Sequence, residues 1–148
     1  MVKIYLDNCC LNRPFDDQTQ VRIRLEAEAV LLILSYVEQG KWSWLGSDVL
    51  IDELEQTPDL EKRSRLQIVA EYAQDVIEIN EPEIERAKEL QKLGFQGYDA
   101  LHIACAENAK ADILLTTDDR LLKLAKRFSR KLKVPVANPL AWLEATIK

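Results

Sequence analysis

VKIYLDN, residues 2–8, is a short apolar run that ends on an acid. Val2–Leu6 has the composition of a strand buried on both faces, as in a parallel sheet, and Asp7 stands where that strand ends. Three later segments repeat the arrangement: SDVLIDELE at 47–55 carries Glu53, GYDALHIACAE at 97–107 carries Asp99, and LLTTDDRLL at 114–122 carries Asp118. Each acid falls where a predicted strand runs into a predicted helix. In an open parallel sheet, ligands bind in the crevice beyond the carboxyl ends of the strands.

The remaining elements follow the same alternation. Residues 11–20, with Pro14 and two Asp, read as a loop, and a long helix spans 20–39 with Leu25, Ala29, Leu32 and Tyr36 near a 3.6-residue period and Gly40 as its stop. Lys41–Leu45 is a second strand with Trp42 and Trp44 on one face, and Ser47 caps the next helix. Thr57-Pro58 predicts a helix start with Pro at its first position, running to about Gln74. Val76–Ile79 is a strand, Asn80 and Glu83 form a capping box, and that helix ends near Gly94. Helices over 98–108 and 119–129, strands over 113–115 and 134–136, and a last helix opened by Asn138-Pro139 complete the chain. Strands alternating with helices imply an α/β sandwich with a mostly parallel central sheet. With 148 residues and no linker or repeat, the expectation is one domain over 1–148.

Composition narrows the class. At 47% hydrophobic and 30% charged residues the chain reads as an ordinary globular protein, without a run near the roughly 20 residues of a membrane span. The N-terminus lacks the pattern of a signal peptide, so a cytoplasmic location is expected. Cys9, Cys10 and Cys105 form neither a disulfide framework nor zinc spacing, and read as buried or semi-buried free thiols. A net charge of −5 argues against nucleic-acid binding by a broad basic surface. Four site carboxylates supply nearly that whole excess, and two divalent ions would cancel them. Positive charge gathers between Arg120 and Lys133, a stretch that reads first as a solvated helix face and second as a set of phosphate contacts.

Taken singly, each acid has an ordinary explanation. Asp7 can end a strand, Glu53 can be one surface acid beside Asp52 and Glu55, and Asp99, Asp118 and Asp119 can complement helix N-termini. Their recurrence at strand-to-helix junctions points to chemistry instead. Carboxylates gathered in one crevice repel one another, and a hard cation such as Mg²⁺ or Mn²⁺ relieves the repulsion. Such ions activate water and stabilise a leaving oxygen in phosphodiester cleavage. Asn8, Thr116 and Thr117, next to the acids, are placed to position water or phosphate, and Arg13 is a candidate substrate contact. His102, one turn after Asp99, reads as a packed core histidine, and the Trp42/Trp44 pair as core or dimer surface.

The order YLDN, SDVLIDELE, GYDALHIACAE, LLTTDDRLL resembles the PIN-domain ribonucleases, which include many toxins of prokaryotic toxin–antitoxin pairs. The resemblance covers nearly the whole chain and is most specific in the D-A-L-H-I-A helix and the L-x-T-x-D-x-x-L segment after it. It implies a three-layer α/β/α sandwich and metal-dependent endonucleolytic cleavage of RNA. It also implies Asp7, Glu53, Asp99 and Asp118 as metal ligands, with Asp119 as substitute or supplement to Asp118, and a small antitoxin and a homodimer as partners. Two features depart from the family pattern: Ser, Thr or Asn is usual at both positions after the first Asp, whereas here Asn8 is followed by Cys9 and Cys10, and residues 12–20 form a loop that is not generic. A phosphatase of the DxDx[T/V] type is disfavoured, since no second Asp stands two residues after Asp7, and a receiver domain would want adjacent acids after strand one. The competing account is a PIN-like module that binds RNA or protein without cutting.

Overall fold

The computed structural model describes residues 1–147. Five strands, β1 (Lys3–Leu6), β2 (Ser43–Ser47), β3 (Asp75–Ile77), β4 (Ile113–Leu115) and β5 (Val136–Ala137), form one sheet in the order β3-β2-β1-β4-β5. Every pairing is parallel, with Ile4 opposite Trp44 on one side and Ile113 on the other. β1 is therefore central. The order reverses on either side of it, since the chain moves out through β2 and β3 and returns to β4 and β5. Asp7 thus leaves the sheet at the point where the two directions of winding part, the place at which crevices form in such folds.

Side chains that alternate along a strand point to opposite faces, and the two cores divide accordingly. Ile4 and Leu6 join Trp44, Ile113 and Leu115 in one cluster, while Tyr5 joins Leu45 and Leu114 in the other. The first cluster is covered by α1 (Asn8–Asn12), α2 (Val21–Glu38), α4 (Leu60–Ala70) and α8 (Pro139–Thr146). The second is covered by α5 (Glu81–Leu93), α6 (Gly97–Asn108) and α7 (Asp119–Arg127). α3 (Asp48–Glu55) feeds both, through Val49 to one side and Leu50 and Leu54 to the other. The result is a three-layer α/β/α sandwich, as expected. No described helix is long and apolar enough to cross a membrane.

Local chemistry places most boundaries. Asn80 and Glu83 form the capping box that starts α5, and Gly94, at φ +113°, closes it in the left-handed region that glycine enters without a Cβ penalty. Asn138 caps α8 through Leu140 and Ala141. Other expectations need correction. Residues 11–20 are not all loop: α1 begins directly after Asp7 and leads into a 3-10 turn over Arg13–Phe15. The Asp7 carboxylate makes that start feasible by accepting from the Cys10 N–H. α4 starts after Asp59, whose carboxylate accepts from Glu61 and Lys62, and not at Pro58. It ends at Ala70, short of Gln74, and the last strand lies at Val136–Ala137 rather than 134–136.

The buried face of α2 also differs. Glu26, Ala27, Ala29, Val30, Ile33 and Val37 face inward, while Leu25 and Leu32 are exposed. α2 is apolar over most of its circumference, so two helical stripes sharing Ala29 compete, and docking against the sheet selects one. Trp44 is wholly buried, and Trp42, half-buried against the same core, meets Tyr36 edge-on and Trp142 at a tilt with ring centroids 5.0 Å apart.

Candidate active site

Asp7 follows β1, is 3% exposed, and caps α1. Asp118 follows β4 and caps α7, accepting from Arg120 N at 2.9 Å and Leu121 N at 3.4 Å. Asp99 lies in the first turn of α6, and Glu53 in α3, the helix that leaves β2. Three of the four acids thus sit at or beside helix N-termini, where unpaired N–H groups favour negative charge. Glu53 does not.

The four carboxylates share one electric field. Burial raises the Asp99 pKa to about 6, with the negative charges of Asp7, Asp118 and Glu53 adding to the shift. Asp7 is also raised, first by burial; Thr116 and His102 oppose that, and Glu53 reinforces it. Cys9 reports the same convergence. It is exposed at the surface yet crowded enough that desolvation leads the causes raising its thiol pKa, followed by Asp7, Asp118, Glu53 and Asp99. Cys9, Glu53 and Asp118 line a groove of about 550 Å³, with Arg13 and Lys62 also on its walls.

Among the described residues, no three His, Cys, Asp or Glu side chains stand close enough to hold an ion by themselves. Mg²⁺ takes only one or two protein carboxylates and keeps several waters. A set of hard oxygen donors carrying unrelieved mutual repulsion fits that requirement. The Cys9 sulfur beside them is a soft donor, which hard cations such as Mg²⁺ and Mn²⁺ pass over for oxygen.

The other sequence-predicted residues fall into two groups. Thr116 is fully buried; its hydroxyl lowers the Asp7 pKa and accepts from the Asp118 N–H at 3.1 Å. It therefore serves the start of α7 and the field around Asp7 rather than facing solvent. Thr117, Asn8 and Arg13 line the groove, with Asn8 Oδ1 accepting from Asn12 at 2.8 Å. Arg13 is held by Glu26 at 2.9 Å and Asp16 at 3.1 Å. Asp119 is set apart: both its oxygens accept from Arg22 at 2.7 Å, and that guanidinium keeps its pKa below the usual carboxylate range. Asp118 is the one of the pair that faces the groove.

Sequence reading missed several participants. Lys62 and Asp16 reach the groove from α4 and the loop after the 3-10 turn, with no local signal of their own. His102, expected in the core, is indeed 2% exposed, but it also bonds Glu53 Oε1 at 2.9 Å. Its Nδ1 meets the Tyr5 hydroxyl at 2.5 Å, and that hydroxyl meets Ser47 Oγ at 2.6 Å. Burial holds the Tyr5 phenol well above its ordinary pKa, so it remains a proton donor. The three cysteines are free thiols, with Cys9 exposed and Cys10 and Cys105 buried.

Comparison with solved structures gives FitAcB from Neisseria gonorrhoeae at a TM-score of 0.61, with 16% identity over 92% of this chain and 97% of that one. VapBC2 from Rickettsia felis, solved bound to a DNA fragment from their promoter, gives 0.58, with 14% identity over 93% and 98%. PAE2754 from Pyrobaculum aerophilum gives 0.56, with 22% identity over 97% and 90%. At these identities the likeness is one of fold. No match is found among curated protein sequences. The PIN domain family matches residues 4–127, from the central strand to the end of α7, and so spans all four acids. The chain belongs to the PIN-domain family, whose members are generally nucleases.

Proposed function

We propose that the chain, as one domain, is a Mg²⁺- or Mn²⁺-dependent endoribonuclease whose ligands are Asp7, Glu53, Asp99 and Asp118. The observation that supports this most is the convergence of the four acids, where burial first and the charges of Asp7, Asp118 and Glu53 after it raise Asp99 to about 6. Protein stability alone gives no reason to crowd these charges, whereas a divalent cation relieves them. A bound ion supplies an activated water and neutralises charge on the phosphate. The chain's own groups do the positioning: the Cys10 N–H holds Asp7, the Thr116 hydroxyl holds the backbone at Asp118, and α3 brings Glu53 to the groove. Arg13 and Lys62 offer positive charge to an RNA backbone on the same walls. The loose spacing of the acids favours the alternative, a PIN-like module that binds RNA or protein without cutting.

Cleavage of a mixed set of labelled RNAs separates the two, with EDTA, Mg²⁺ or Mn²⁺ and with Asp7→Asn and Asp99→Asn beside the wild type. Metal-dependent cutting that both variants lose is the expected result. A folded wild type that neither cuts nor binds Mn²⁺ would leave the binding module as the better account.

The toxin-branch resemblance, together with the fold likeness to FitAcB and VapBC2, supports a small antitoxin as partner. An Arg from such a partner would pair with the acid groove through charge-assisted bonds. For the proposed homodimer, the structure brings α2 and the region around Tyr72 into one apolar groove, with Leu31, Leu34, Val69 and Tyr72 on its walls. Light scattering on the purified chain is expected to give twice the 17.0 kDa monomer mass. A monomer at micromolar concentration would reject the dimer. Co-expression with neighbouring genes is expected to recover a small basic protein, and recovery of none would count against the antitoxin.

A further inference from the structure

Asp7 and Asp118 are fixed by backbone N–H groups of the helices they cap, but Glu53 is not. Its side chain is longer, three-quarters buried, and carries more rotamer entropy to be lost. The group that holds it comes from another element. His102 of α6 reaches Glu53 Oε1 from its Nε2 at 2.9 Å.

The polarity of this contact is set by the groups behind it. A carboxylate only accepts, so Nε2 carries the proton. In a neutral ring Nδ1 then accepts, and the Tyr5 hydroxyl donates to it at 2.5 Å. Ser47 Oγ accepts from the Leu50 N–H at 3.1 Å and has its own proton to give to the Tyr5 oxygen at 2.6 Å. Every donor in the line finds an acceptor. The chain Ser47–Tyr5–His102–Glu53 begins at the end of β2, crosses to β1, and ends in the groove. Tyr5 lies in β1, two residues before Asp7, which follows the end of that strand.

We infer that His102 is a positioning residue for the nuclease site: it occupies Oε1 of Glu53 and leaves Oε2 as the oxygen presented to the metal or its water. The inference rests on the ribonuclease reading, but its test does not depend on activity alone. Partners at this remove from a metal typically set affinity or rate by about 10–100-fold.

His102 is the only histidine in the chain, so selective ¹⁵N labelling yields one imidazole to observe. At pH 8 the expected spectrum is that of the Nε2–H tautomer, and Tyr5→Phe, which removes only the hydroxyl, is expected to mix the two tautomers. Mn²⁺ binding followed by electron paramagnetic resonance is expected to weaken about 10-fold or more in His102→Leu and to recover in His102→Gln, whose amide N–H replaces the Nε2 donor. RNA cleavage should lose kcat by a similar factor with KM unchanged. The Nδ1–H tautomer in the wild type, or a tautomer indifferent to Tyr5→Phe, would overturn the inference even if His102→Leu failed to fold. So would a folded His102→Leu that binds Mn²⁺ and cuts like the wild type while Asp7→Asn and Asp99→Asn are dead. Cleavage persisting in those two Asp variants would instead defeat the ribonuclease reading itself.

Discussion

Asp99→Asn is expected to raise the melting temperature of the metal-free protein at pH 7 and to abolish cleavage. Folding carries Asp99 from an ordinary 3.8 to about 6, because burial and the charges of Asp7, Asp118 and Glu53 disfavour its ionised form. Between those values the folded state binds more protons than the unfolded one, so stability falls as pH rises from about 4 to about 6 and stays lower above. The acid therefore works against folding at neutral pH. Part of the carboxylate is in water, and allowance for screening leaves on the order of 1 kcal/mol. For a chain of this size that corresponds to about 2–4 °C. Asn keeps the shape and removes the charge. A divalent cation at about 100 times its Kd should stabilise the wild type by about 2.7 kcal/mol, and the variant should lose most of that shift. Cleavage is expected to fall by at least about 10²–10³-fold, the scale of removing one preorganised stabilising group. In the wild type the affinity for Mg²⁺ should rise as pH passes through the Asp99 pKa, since proton and cation compete for the carboxylate. Scanning calorimetry with and without Mg²⁺, beside the cleavage assay, checks all of this. A variant less stable than wild type, with its metal shift intact, would show Asp99 to be a structural acid.

Glu26→Ala should produce the largest loss of stability among the polar positions. Glu26 is 1% exposed on the inner face of α2. It accepts from Arg13 Nε at 2.9 Å, Arg22 Nε at 3.3 Å and Asn138 Nδ2 at 2.5 Å. Through those bonds one carboxylate ties α2 to the 3-10 turn and to the start of α8. Removing one partner of a buried ion pair costs about 3–5 kcal/mol, because the charge left behind has lost its compensation. Arg13 keeps Asp16 and Arg22 keeps Asp119, so the lower end, about 3 kcal/mol, is expected here. That corresponds to a fall of roughly 6–12 °C in melting temperature. RNA affinity should weaken as well, since Arg13 lines the groove and loses its main constraint. A melting point within 2 °C of wild type, roughly 1 kcal/mol or less, would mean that the Arg13 and Asn138 groups find water instead.

Much of the architecture could be read from the linear chain, and the reason is that its signals are local. The Asn80/Glu83 box, the Ser47 cap and the Asn138-Pro139 start depend on residues within one helical turn, and each element begins where those residues place it. The apolar Ile4–Leu6 run, buried on both faces, could only be an inner strand. The family pattern likewise lies in four short segments, each carrying one acid, although only Asp7 and Asp118 stand at strand-to-helix junctions: Asp99 opens a helix that follows α5, and Glu53 lies within α3. Where two local signals competed, reading along the chain chose wrongly. Pro58 outweighed Asp59 as the start of α4, and the Leu25/Leu32 stripe of α2 outweighed the one that docks.

What the sequence determined by itself is the α/β class and most of the helix boundaries, because period, caps and turns act over a few residues. The tertiary structure decided which distant side chains meet. Arg22 claims Asp119 across 97 positions, so Asp118 alone of that pair faces the groove. Glu26, polar on paper, became the buried hub of three elements. His102, a core histidine by its helix face, became the partner of Glu53 once α6 packed beside α3. Such pairings depend on strand order and on which face of a helix docks, and those are settled by burying the whole apolar surface at once, a global condition that no short stretch of sequence carries.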